Sequence, residues 1–277
     1  MYGAMIGDLV GSRFEFRHHK SKVFSLFTED CCFTDDTVLT VAVARAVLCY
    51  HKGADFESAL TEALVQAVQN YPNAGYGRKF LAWAKRPPHR PYGSLGNGSA
   101  MRVSPCALYA ATLDEALELA ERSAAVTHDH PEGIRGAQAV AAAIFLARTG
   151  WDKAAIGSYL RAHYYPLDKT LAQIRPDYRF DATCPGSVPQ ALLCFLESTD
   201  YEDTLRNAVS LGGDADTLAA IAGSIAWTYY GRKGMRASMA DIYRQAYPML
   251  PAEFHRTARE LAQLRRCPDD QQTTTEA

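Results

Sequence analysis

Two stretches of this chain open on paired aspartates and run directly into alanine-rich segments that are apolar on nearly every face. The first is F-T-D-D-T-V-L-T-V-A-V-A-R-A-V-L-C-Y (Phe33 to Tyr50); the second is L-G-G-D-A-D-T-L-A-A-I-A-G (Leu211 to Gly223). A helix that is apolar all round has to sit inside a core, so the acids at its start are drawn in with it. Taken singly, each opening reads as a helix cap, where Asp and Thr oxygens accept orphan backbone N–H groups and the helix dipole favours negative charge. Two such openings, each heading a buried helix, demand more of the fold. If they converge, four carboxylates share a small space, and desolvation and like-charge repulsion then call for protons or cations. Mg2+, Mn2+ or Ca2+ suit Asp carboxylates and Thr hydroxyls, while no Cys/His set accompanies them to favour zinc. Spacing alone leaves two unrelated caps open as the alternative.

The rest of the chain is helical in pattern too. Helices are expected at Thr37 to Tyr50, Phe56 to Asn70, Leu113 to Val126, Pro131 to Arg148, Trp151 to His163 and Val188 to Glu197. Four more follow at Tyr201 to Val209, Ala215 to Tyr230, Gly234 to Ala246 and Ala252 to Leu264. Only Val23 to Phe27 suggests a short extended piece, and nothing supports a sheet. The expectation is an all-α, single-domain, multi-helix fold over 1–266, with 267–277 as a disordered tail. The Pro/Gly-rich segment Arg86 to Gly98 is expected to be the longest irregular stretch, and such loops on helical scaffolds often carry function.

Composition narrows the class of partner. A net charge of −2 provides no basic excess for extended nucleic-acid contact. Charged residues interrupt every apolar run, so no membrane span is expected. The opening M-Y-G-A-M-I-G-D-L-V-G lacks a basic leader, and the seven cysteines form no C-x-x-C pair. A reduced, cytoplasmic protein is expected, and a monomer. A third acidic candidate is G-D-L-V-G-S-R-F-E, where Asp8 and Glu15 flank Gly11-Ser12. Read alone, Asp8 is a polar position on a glycine-rich packed helix and Glu15 a solvated or salt-bridged residue.

Together these motifs resemble the ADP-ribosylglycohydrolase family, the dinitrogenase-reductase-activating type of hydrolase. The resemblance rests on five segments in family order. They are Gly7 to Glu15, F-T-D-D-T (Phe33 to Thr37), G-S-L-G-N-G-S-A-M-R-V (Gly93 to Val103), Thr127-His128 and G-G-D-A-D-T (Gly212 to Thr217). It implies an all-α fold with a binuclear metal cleft holding two divalent cations, Mg2+ or Mn2+. Matched residue by residue, the metal ligands would be Thr34, Asp35, Asp36, Asp214, Asp216 and Thr217. Glu15 would be catalytic, activating water or the leaving group, and Asp36 would join ligation to proton handling. Gly77, Gly93, Ser94, Gly96, Asn97 and His128 would bind substrate, the glycine-rich loop cradling the diphosphate through backbone N–H groups. Arg102 reads either as an anion partner or as a buried structural residue, and His128 also fits a satisfied core histidine. Leu95 stands where some relatives place an aromatic ring against the adenine, so Tyr76, Tyr92 or another ring would have to stack instead.

The implied activity is metal-dependent cleavage of the N- or O-glycosidic bond between the distal ribose of ADP-ribose and a modified macromolecule, with an Arg or Ser side chain as the linked group. Two alternatives stand beside it: a hydrolase of ADP-ribosylated nucleic acid or of a small O-acyl-ADP-ribose, and a non-catalytic ADP-ribose-binding module. The presence of every matched acid, Glu15 included, argues against the last.

Overall fold

In the computed structural model, which describes residues 1–232 and 234–264, α-helices joined by irregular segments surround one apolar core. The described residues hold no strand, only an isolated bridge between Gly96 and Thr183. In chain order the helices are α1 (Tyr2–Gly11), α2 (Asp35–His51), α3 (Phe56–Asn70), α4 (Arg78–Lys85), α5 (Gly98–Met101), α6 (Ser104–Tyr109) and α7 (Leu113–Ala125). They continue with α8 (Pro131–Arg148), α9 (Lys153–His163), α10 (Leu171–Ile174) and α11 (Cys184–Leu196). The last are α12 (Tyr201–Val209), α13 (Ala215–Gly231), α14 (Ala237–Ala246) and α15 (Ala252–Gln263). The all-α expectation holds. The domain boundary at 266 and the tail 267–277 lie outside the described residues.

Local chemistry sets where these helices start. Asp55, Thr112, Asp152 and Asp200 each cap a helix by accepting a backbone N–H from its first turn. Pro131 occupies the first position of α8, where its missing N–H is no loss. α11 starts at Cys184 rather than Val188, because Thr183 accepts from the Gly186 N–H and a proline fits the first turn. α14 starts at Ala237 rather than Gly234, whose φ of +102° is left-handed. The sequence pattern did not yield α4, α5, α6 and α10, all short.

The irregular segment 86–97 is not the longest. Residues 15–34 run further without an α-helix or strand, and Val23 to Phe27 lies within them as coil. Long polar side chains from elsewhere satisfy that backbone. Arg206 donates to the carbonyls of Lys22 and Phe24 at 2.8 Å each. Lys20 reaches out from the segment to the carbonyls of Tyr178 and Leu211, and His18 pairs with the Gly212 carbonyl at 3.2 Å. Such bonds between distant segments leave no periodic trace in a sequence.

α13 lies at the centre and packs on α1, α8, α11 and α12. Its residues Ala215 through Ala226 are all buried, and fully burying a side chain such as Leu218 or Ile221 contributes about 1.5–3 kcal/mol. Gly3, Gly7 and Gly11 form a stripe along α1 that admits the α13 backbone. A Cβ at Gly7 would fall on the Ala219 carbonyl, and one at Gly11 on the Ala215 carbonyl and the Asp216 backbone. Close approach here sets the register between Glu15, just beyond α1, and the acids that open α13. No described helix is long and apolar enough to cross a membrane.

Candidate active site

The first half of the site is built where α1 meets the start of α2. Asp8, fully buried on α1, accepts from the Thr34 N–H and hydroxyl at 2.8 Å each and from the Thr37 N–H at 3.1 Å. Thr34 in turn caps α2 by accepting from the Asp36 N–H. Asp35 and Asp36 therefore stand in the first turn of a fixed helix, with Asp35 further held by its N–H to the Ala74 carbonyl at 2.7 Å. Asp8 thus aims the T-D-D turn, a role that its own local sequence does not announce.

The second half comes from the start of α13. Asp214 is its N-cap, Asp216 lies in its first turn, and Thr217 follows, all three buried. Gly212, with φ of +64°, lets the chain turn sharply into this helix beside the backbone of His19. The two halves meet: Thr217 donates its hydroxyl proton to Asp36 Oδ2 at 3.1 Å. Glu15, Asp214 and Asp216 each bring a carboxylate oxygen within 4.8 Å of the others. Glu15, Asp35, Asp36, Asp214, Asp216 and Thr217 line one cavity of about 370 Å³, and Thr34, bonded to Asp8, is not among its lining residues.

The electrostatics of this cluster are those of carboxylates short of positive charge. Burial pushes the Glu15 carboxyl up to about 7, with Asp214 and Asp8 adding to the shift. Burial likewise raises Asp8 to about 6, although its hydrogen bonds from Thr37 and Thr34 oppose the shift. Asp35 and Asp36 are held well above the usual carboxylate range by burial and then by the charge of Asp8. Asp216 is raised in the same way, by burial and then by Asp214 and Asp36, and burial raises Asp214 despite its hydrogen bonds. None of these acids forms a salt bridge with a lysine or arginine among the described residues. Asp36 Oδ1 is buried without a partner. An all-oxygen donor set, a repulsive cluster and an orphaned carboxylate oxygen fit hard divalent cations.

The glycine-rich loop borders the cavity but is tied differently from expectation. Gly93, at φ +64°, gives its N–H to Asp129 Oδ1 at 2.6 Å; Gly96 gives its own to Ser94 Oγ at 3.1 Å, and Asn97 to the Ala182 carbonyl at 2.8 Å. Three of the amides expected to face phosphate thus have protein partners, which leaves those of Ser94, Leu95 and Gly98 without a protein acceptor among the described residues. Asn97 uses its side-chain amide to hold Asp214 Oδ2 at 2.8 Å and Ser187 Oγ at 3.2 Å. Gly77 caps α4 with open space where a Cβ would be, and the next two residues, Arg78 and Lys79, also line the cavity. The sequence reading missed those two cations, whose only signal was their position after Gly77.

The rings around the cavity are Phe80, Tyr92 and Phe180. Tyr76 is buried with its hydroxyl donating to the Ala67 carbonyl at 3.1 Å and does not line the cavity. Of the two tyrosines named as replacements for Leu95, only Tyr92 is therefore in place. Phe180, reached through a loop far along the chain, had no recognisable signal. His128 is buried at the cavity wall with its ring 6.0 Å from that of Tyr92. Arg102 is fully buried, with its guanidinium on the Ser123 carbonyl and Thr127 Oγ1 rather than on an acid.

The chain is similar to several known proteins. The family model described as ADP-ribosylglycohydrolase matches residues 1–271. The human ADP-ribosylhydrolase ARH3 is 28% identical over 305 residues, covering 83% of this chain and 84% of the relative. The ADP-ribosylarginine hydrolase Tri1 of Pseudomonas putida is 27% identical over 269 residues, covering 85% of this chain and 70% of the relative. A solved structure titled an ADP-ribosylglycohydrolase-related protein complex superposes with a TM-score of 0.70 at 24% identity, over 96% of each chain, and shares the fold.

Proposed function

The chain belongs to the ADP-ribosylglycohydrolase family, and from that premise we propose that its acidic cavity removes ADP-ribose from a modified macromolecule by cleaving the glycosidic bond at the distal ribose. The linked group in this reading is a protein side chain, Arg or Ser; the name of the Tri1 relative mentions arginine. The observation that carries the proposal is the junction of the two helix openings. Thr217 bonds Asp36, and Glu15, Asp214 and Asp216 converge within 4.8 Å.

Asp35, Asp36, Asp214, Asp216, Thr217 and Thr34 are the groups that would hold two divalent cations, Mg2+ or Mn2+. When bound, such cations orient ribose hydroxyls and lower the pKa of water. Asp8 and Asn97 keep the ligands in place by fixing Thr34 and Asp214. Glu15 is the proton carrier of this reading, a carboxyl beside Asp214 and Asp216 that can take a proton from water or give one to a departing group. Gly77, Ser94 and Gly96 leave room along the wall for the nucleotide, Gly93, which is not itself a lining residue, turns the loop beside them, and Arg78 and Lys79 provide charge for the diphosphate. His128 supplies a hydrogen-bonding edge.

The test is a panel of Arg-linked, Ser-linked and nucleobase-linked ADP-ribose, assayed with Mg2+, with Mn2+ and with chelator. Release from an Arg or Ser linkage that stops with chelator supports the proposal. Tight ADP-ribose binding with no release from any linkage would make this a binding module instead.

A further inference from the structure

We propose that Arg102 and Thr127 are positioning residues that lock the imidazole of His128 in its Nε2–H tautomer, so that it presents a hydrogen-bond donor to an oxygen of the bound ligand. The identity of that ligand rests on the ADP-ribose reading above, but the tautomer does not.

The assignment follows from counting hydrogens in a buried chain of three side chains. Arginine can only donate. Its Nη2 donates to the Ser123 carbonyl at 3.0 Å and to Thr127 Oγ1 at 2.8 Å. The Thr127 side chain is fully buried, and its oxygen lies 2.6 Å from His128 Nδ1. If Nδ1 carried the proton, the Thr127 hydroxyl hydrogen would be left buried with no acceptor among the described residues, an expensive omission. If the hydroxyl donates to Nδ1, both the hydroxyl hydrogen and that ring nitrogen are satisfied. The imidazole is neutral at physiological pH, because burial and then the Arg102 charge push it well below its usual value. Its single proton therefore sits on Nε2.

That nitrogen faces the cavity along the glycine loop. A Cβ at Gly98 would lie 3.3 Å from Nε2 and one at Gly96 3.6 Å, so glycine at both positions keeps the approach open. No described protein atom accepts from Nε2, and His128 and Arg102 both line the cavity. Arg102 also forms no salt bridge among the described residues, and its Nε and Nη1 are buried without partners. Its uncompensated charge polarises the chain from Nη2 through the hydroxyl to the ring, and linked hydrogen bonds strengthen one another. The result is a neutral group with enhanced donor strength, suited to a phosphate or ribose oxygen.

The direct test is nitrogen NMR of the full chain carrying 15N-labelled histidine, without ligand, with His128 assigned by its loss in His128→Gln. The expected spectrum has a protonated Nε2 and an unprotonated Nδ1, and a protonated Nδ1 would overturn the proposal. Thr127→Val should lose the fixed tautomer and bind ADP-ribose roughly tenfold more weakly, while Thr127→Ser, which keeps the hydroxyl, should retain both. A Thr127→Val protein with unchanged tautomer and affinity, or a Thr127→Ser protein that fails like valine, would also overturn it. Should the valine variant not fold, the spectrum of the unmodified chain still decides. Absence of ADP-ribose binding in the unmodified chain would count against the function proposed above and leave the tautomer readout standing.

Discussion

The hydroxyl of Thr217 donates to Oδ2 of Asp36 at 3.1 Å, joining residues 181 positions apart. The starts of α2 and α13 are thereby one site, and their aspartates experience each other's charge. Each helix is held in the core by its apolar faces, so neither start can swing away to relieve the repulsion.

Removing one of these acids should separate activity from stability. Asp216→Ala and Asp35→Ala are each expected to lower metal-dependent ADP-ribose release by at least about 100-fold, as losing an essential group does. In chelator, Asp216→Ala should melt at or above the temperature of the unmodified chain, because it deletes a buried carboxylate that its neighbours oppose. Thermal melts with and without Mg2+ check this, and a large loss of stability in chelator would show Asp216 to be structural.

The pH dependence of the metal-free protein has a definite sign. Glu15 and Asp8 titrate near 7 and 6 when folded, against 4.5 and 3.8 ordinarily. The folded chain therefore holds more protons than the unfolded chain between about pH 4 and pH 7, and stability falls as pH rises through that window. Melting temperature in chelator should decline by several degrees from the acid to the neutral end, and Mg2+ should flatten the profile. A chelator profile that rises would contradict the raised values.

The glycine stripe predicts a contrast between two substitutions. Gly11→Ala drives a methyl into the Asp216 backbone, and overpacking of this kind costs about 1–3 kcal/mol. It should lower both the melting temperature and the activity. Gly77→Ala meets open space at an ordinary backbone angle, so its stability should stay near that of the unmodified chain while any loss appears in ADP-ribose affinity. Melts and binding titrations on the pair distinguish packing from ligand contact.

What was legible in the sequence followed from local rules. α3, α8 and α12 have their expected limits because periodic apolar positions stand behind capping residues or a first-turn proline. α2 and α13 were legible because acid pairs preceded apolar runs, whereas the same feature left open whether the two openings meet or are unrelated caps. Tertiary relationships were hidden. Asp8 bonds a turn 26 residues away, Phe180 enters the cavity from a distant loop, and Asn97 holds Asp214 across 117 residues. The glycine loop was recognised by composition, yet its amides were expected to be free because neither Asp129 nor Ala182 is marked by sequence as their partner.

The central claim is that the two helix openings form a divalent-cation site, and counting bound Mn2+ by electron paramagnetic resonance tests it most directly. The unmodified chain should hold two Mn2+ ions tightly, and Asp36→Ala and Asp216→Ala should each lose at least one while remaining folded. A chain that binds no Mn2+, or binds it equally well without Asp36 and Asp216, would contradict the claim.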